Sequence, residues 1–77
     1  MNKNLQITYM QARLIRLASE EWNLSIKTVA GIFAKNNVFQ FIRECFGIFH
    51  AEGDYAVLDN IVEYLNNKGA DFDAGIS

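Results

Sequence analysis

Cys45 and His50 are the only cysteine and histidine in this 77-residue chain, and both fall in VFQFIRECFGIFHAEGDYAVL, residues 38–58. A thiol beside an imidazole can act as a nucleophile–base pair or supply two metal ligands. Both chemistries require the side chains to converge. Five residues along one straight helix turn about 500°, which leaves the two directions about 140° apart. A structural zinc site takes four ligands and a catalytic one usually three, so one Cys and one His fall short without carboxylates or a second chain. Cys45 therefore reads as a small buried hydrophobe, and neither a metal nor a cofactor is expected.

His50 has a different setting. It falls in the last turn of its helix, where the dipole favours a protonated imidazole, and Asp54 follows four residues later. Asn60 on the next helix is a candidate hydrogen-bond partner. His50, Asp54, Tyr55, Asp59, Asn60 and Tyr64 together form the candidate partner or hydrogen-bond site. Carboxylates for acid–base work would have to come from Glu20 with Glu21, from Glu44, or from the acidic last helix, and these fall on solvent faces with no apolar pocket to raise a pKa. The chain has no glycine-rich phosphate loop, Ser–His–Asp arrangement or dinucleotide fingerprint. The expectation is that it is not an enzyme.

The elements that position these residues read as helices. There is no proline, half the residues are apolar and 21% are charged, a composition that folds and stays soluble. From about Leu5 to Trp22, Ile7, Met10, Leu14, Leu17 and Ala18 recur at the spacing of one helical face. Ser25 is a good N-cap for a second helix with Ile26, Val29, Ala30 and Phe33 inward. Asn36 and Asn37 make a turn, because asparagine tolerates left-handed backbone angles. A third helix runs from about Val38 to Ala51, with Val38, Ile42, Cys45 and Phe49 on one face and Phe39, Phe41, Phe46 and Ile48 spread over the rest. A helix apolar over most of its circumference is buried on several sides, which places it at the centre of the fold or partly in an oligomer interface. Gly53 closes it, and Asp54 caps a fourth helix, Tyr55 to Lys68, with Leu58, Ile61, Val62 and Leu65 inward. Lys68 and Gly69 supply the stop signals.

The fold class is thus all-α, a compact four-helix bundle with a largely buried, hydrophobic third helix. Residues 1–69 form the single domain and 70–77 a frayed C-terminal tail. A core this small is marginal on its own, so self-association is expected, with Trp22, Tyr9, Tyr55 and Tyr64 as candidate anchors. No window approaches the roughly 20 apolar residues of a membrane span. The opening MNKNLQITYM lacks the apolar run of a secretory signal, which makes the cytoplasm the expected location.

Charge is unevenly placed. Lys3, Arg13 and Arg16 precede the first acidic residue, Glu20, whereas Glu52, Asp54, Asp59, Glu63, Asp71 and Asp73 face only Lys68 in the last third. Two ends of one chain, or two chains, can orient each other through this asymmetry. The alternative function is a helix-turn-helix-like DNA-binding regulator, because SIKTVAGIFAKNNVFQFIREC outlines two short helices across a turn. Its reading helix offers a single cation, Arg43, and the net charge of −2 argues against a nucleic-acid footprint.

IFAKNNVFQFIRECFGIFHAEGDYAVLDNIVEYLNNKG resembles the bacterial family called domain of unknown function 3791. The pattern rests on Phe33, Phe39, Ile42, Phe46, His50, Gly53, Tyr55, Ile61, Tyr64 and Leu65, with Asn60 where the family has aspartate, and it covers roughly residues 5–69. The resemblance carries no established activity. It implies a small helical protein encoded beside other short proteins, some similar to toxin–antitoxin pairs, and therefore a binding partner. A non-enzymatic protein–protein interaction module is the function expected, with a homodimer and an operon neighbour as partners. Replacing Ile42 or Phe46 by alanine is expected to lower stability by about 2–5 kcal/mol, and chemical denaturation curves unchanged by both substitutions would refute the core assignment.

Overall fold

The computed structural model describes residues 2–70; of the tail expected over 70–77, only Ala70 lies within that range. Helix α1 (Lys3–Trp22) starts on Asn2, whose side-chain oxygen accepts the Leu5 amide at 2.8 Å. That bond satisfies one of the amides left without a partner at a helix start. Ile7, Met10, Leu14, Ala18 and Trp22 form its buried stripe. The helix ends at Asn23, which takes the left-handed conformation at φ 56°. The Leu24 amide then donates to the Ser19 carbonyl at 3.2 Å, and the Ser19 hydroxyl donates to the Leu24 carbonyl at 2.6 Å, closing the reversal from both sides.

Helix α2 (Ile26–Lys35) begins at the expected cap, Ser25, whose hydroxyl oxygen accepts the Thr28 amide at 3.0 Å. Val29 and Phe33 are buried. Ile26, expected on the inner stripe, is 55% exposed, because it occupies the first helical position, where the chain enters from the surface turn. The Asn36–Asn37 turn forms as expected: Asn37 has φ 60°, and the Asn36 side-chain amide donates to the Ile32 carbonyl at 2.9 Å.

The expected third helix is two helices, α3 (Val38–Glu44) and α4 (Phe46–Phe49), separated at Cys45 with φ −99° and ψ 7°. Gly47 beside the break lowers helix propensity there. The buried stripe is Val38, Ile42, Phe46 and Phe49, so Phe46 takes the inner place expected for Cys45, which is half-buried. Phe39 and Phe41 are half-buried and Ile48 is exposed. The centre of the fold is therefore α1, which packs against α2, α3 and α5 (Asp54–Asn67).

After Phe49 the chain unwinds through tight turns, with the Ala51 amide donating to the Ile48 carbonyl and the Glu52 amide to the Phe49 carbonyl. Gly53 does not close the preceding helix but occupies the N-cap position of α5, and Asp54 is its first residue rather than its cap. The Asp54 carboxylate there faces the positive end of the helix dipole. Val57 joins Leu58, Ile61 and Leu65 in the core. At the far end Gly69 adopts φ 71°, its amide donates to the Asn66 carbonyl, and the Ala70 amide reaches back to the Leu65 carbonyl at 3.0 Å. This pair of bonds is a Schellman motif.

Two runs of aromatic rings join the helices. Trp22 meets Phe33 edge-on with centroids 6.2 Å apart, and Phe33 meets Phe39 at 5.7 Å, linking α1, α2 and α3. Phe49 meets Phe41 at 5.4 Å and Phe41 stacks on Tyr64 at 4.1 Å, linking α4, α3 and α5. Trp22, a candidate interface anchor from the sequence, is only 2% exposed and is a core residue. No polar or charged residue is buried among the described residues, and they are all-α, with no strand.

Two glycines test the backbone account in opposite directions. Gly31 lies inside α2, and a Cβ added at either Gly31 or Gly69 would meet nothing within 4 Å. Gly31→Ala is expected to stabilise by about 0.5–1 kcal/mol through lost unfolded-state entropy. Gly69→Ala is expected to cost about 1 kcal/mol, since only the left-handed φ opposes it. Equal shifts of the two melting temperatures would contradict the assignment.

Candidate functional site

Along one side of α1, Gln6, Tyr9, Met10 and Arg13 follow the helical repeat and face Phe46 and His50 across a cleft of about 250 Å³. Met10 and Phe46 are buried and make its floor. Tyr9, half exposed, and His50, exposed, make its walls. The imidazole lies against the Phe46 ring, with centroids 5.4 Å apart and planes tilted by 35°. A larger concavity of about 470 Å³ lies between α2 and the end of α5 and reaches Ala70, the last described residue.

Arg13, in the cleft lining, is held by Asp54. The Arg13 Nε donates to Asp54 Oδ2 at 3.1 Å and its Nη2 to Oδ1 at 3.5 Å. These side chains are 51% and 34% exposed, so the pair contributes less than about 1 kcal/mol. Its effect is positional: it fixes the first turn of α5 against the middle of α1. The basic opening and acidic end of the chain meet here, as the charge asymmetry suggested.

The six candidate residues separate. His50 lies in the cleft and Asp54 is engaged by Arg13. Asn60 is not the partner expected for His50: its side-chain amide donates to the Ala56 carbonyl at 3.1 Å and to Glu52 Oε1 at 3.4 Å. The turn after Phe49 presents Glu52 to α5 and leaves His50 facing α1. Tyr64 stacks on Phe41 with planes 11° apart, and Lys68 Nζ lies 5.2 Å from its ring centroid, so Tyr64 joins α3 to α5. Tyr55 is 64% exposed, and Asp59, one turn further along α5, is exposed too.

Cys45 packs against the core, whereas His50 belongs to the cleft. Among the described residues no group of three or more His, Cys, Asp or Glu is disposed to hold a metal ion, and no described helix is long and apolar enough to cross a membrane. The cleft residues that sequence reasoning left outside the site are Gln6, Tyr9, Met10, Arg13 and Phe46. Tyr9 and Arg13, one turn apart on the outer side of the first helix, were the available signal.

The model of the family described as Protein of unknown function (DUF3791) matches residues 9–68. The chain belongs to this family. In this DUF3791 protein the match includes the Tyr9, Met10, Arg13, Phe46 and His50 positions of the cleft. No curated protein and no solved structure matches the chain. Asn60 stands where the resemblance had aspartate, and the geometry gives the substitution a physical meaning: the amide donates to Glu52, whereas a carboxylate there would face it with like charge.

Asn60→Asp is accordingly expected to destabilise the protein by about 0.5–1 kcal/mol. Arg13→Ala is expected to cost less than about 1 kcal/mol, with the difference fading toward roughly 1 M salt as the pair is screened. Urea midpoints across a salt series check both, and a salt-independent Arg13→Ala deficit would count against the ion pair.

Proposed function

We propose that this DUF3791 protein is a non-enzymatic protein–protein interaction module working in the cytoplasm, the binding half of a small operon-encoded pair of the toxin–antitoxin kind. The observation that supports this reading is the set of large apolar side chains left at the surface. Among the described residues Leu5, Tyr9, Ile26, Ile48 and Tyr55 are exposed on the helices, and Tyr9 lines the cleft. Aromatic side chains with polar tips anchor protein interfaces, because they bury much area at small entropic cost.

The helix-turn-helix reading has weaker support. On α3 the outer strip carries Arg43, whose Nη1 donates to Asn4 Oδ1 at 3.1 Å, and Glu44, whose carboxylate accepts from Gln40 at 3.2 Å. One engaged cation beside a carboxylate is a poor match for phosphate.

Co-expression with the product of the adjacent gene tests the proposal. A stoichiometric complex that survives purification is the expected result. A protein that stays alone and instead shifts its own promoter DNA, with a steep loss of affinity as salt rises, would replace the interaction reading by the regulatory one.

A further inference from the structure

We infer that the outer strip of α1 pairs with the same strip of a second copy of this chain, the two helices running antiparallel about a twofold axis beside Ala12. The inference rests on the interaction reading above and names one surface and one partner.

At about 100° per residue, Leu5, Tyr9, Ala12, Arg16 and Glu20 fall within about 80° of arc, and the middle of that arc lies about 180° from the middle of the buried stripe of α1. The strip is the side of the helix turned away from the core. All five residues are exposed, with Leu5 at 45% and Tyr9 at 50%. Among the described residues, the side chains of Tyr9, Arg16 and Glu20 have no hydrogen bond, ion pair or ring contact.

The strip carries its own complement. Leu5 with Glu20, and Tyr9 with Arg16, are spaced evenly about the midpoint between Ala12 and Arg13. Turning one copy end for end therefore sets each Arg16 guanidinium on the partner's Tyr9 ring, a cation–π contact made twice. It joins a ring and a cation that the single chain leaves without company. Ala12 at the centre is small enough for the helix axes to approach to about 8 Å. Arg13 beside it is drawn aside and neutralised by Asp54.

Charge chooses the direction. α1 has no acidic residue in its first turn and no basic residue in its last. Glu20 and Glu21 stand instead at the negative end of the helix dipole, where carboxylates are disfavoured. Antiparallel pairing carries Glu20 to the positive end of the partner's α1, whereas parallel pairing would set Arg16 on Arg16 and Glu20 on Glu20. The contact is the same patch on both copies, so it closes at two.

Sedimentation velocity on the full chain, from about 5 to 500 μM, tests this. The expected result is a dimer that forms with concentration and goes no further. Arg16→Glu is expected to raise the dimer dissociation constant about tenfold without moving the melting temperature of the dilute monomer, because Arg16 has no partner in its own chain. Tyr9→Arg weakens the dimer too, and Tyr9→Arg combined with Arg16→Tyr restores it, since the exchange rebuilds both ring–cation pairs in reverse order. Oxidative cross-linking in a Cys45→Ser background reads the direction: Ala12→Cys, beside the axis, links two chains, and Leu5→Cys, about 22 Å from its counterpart, does not. A monomer at every concentration, a dimer indifferent to Arg16→Glu, a cross-link at Leu5→Cys rather than Ala12→Cys, or growth into larger species overturns the inference. A monomer that still captures the neighbouring gene's product ends the dimer and leaves the interaction reading in place, whereas a dimer that does not capture it ends the operon pairing and leaves the dimer.

Discussion

Phe33 is held edge-on between Trp22 and Phe39, and through that contact the first three long helices share one interior. Edge-to-face rings prefer a limited set of distances and tilts, so this wedge sets how α2 lies across α1 and where α3 begins. The interior contains no buried polar group among the described residues. Hydrogen bonds therefore do not choose one packing over another, and the shapes of Trp22, Phe33 and Phe39 do. α1 depends on this arrangement most, since its buried stripe from Ile7 to Trp22 is covered by three different helices.

The polar contacts refine that arrangement at its surface. Gln11 reaches across to the Phe39 carbonyl at 3.0 Å, and Arg43 reaches Asn4, two turns earlier on the same face of α1. With Arg13 and Asp54, these bonds tie α1 to α3 and to α5 at three points along its length. Each is small in energy. Together they add to a packing that the apolar side chains already set. The cleft is a by-product of the same geometry: α4 is only four residues long, and its Phe46, with the His50 that follows it, faces Gln6, Tyr9, Met10 and Arg13 of α1 across the opening.

Much of this was legible in the residues. Ser25, the two asparagines at 36 and 37, and Gly69 each have a backbone reason to stand where they do, and all perform the expected task. The stripes of α1 and α5 were visible because burial repeats every three or four positions. The break at Cys45 was not. The buried residues Val38, Ile42, Phe46 and Phe49 keep helical spacing across it, so periodicity cannot distinguish one helix from two. Gly53 and Asp54 were each displaced by one role, since a glycine ending one helix and a glycine starting the next look alike in sequence. Trp22 was read as an anchor because its type is common at interfaces, but what buries it is Phe33, on another helix. The cleft was the least legible part: His50 was noticed, yet its neighbours come from α1, far away along the chain, and only packing brings them together.

The union of α1 with α5 has a consequence for synthesis. While the ribosome makes the chain, α1 emerges before α5, so the groove that receives Val57, Ile61 and Leu65 stays open until α5 has followed. At ordinary elongation rates that interval lasts a few seconds. During it, the apolar stripe of α1 that α5 will cover is exposed to water.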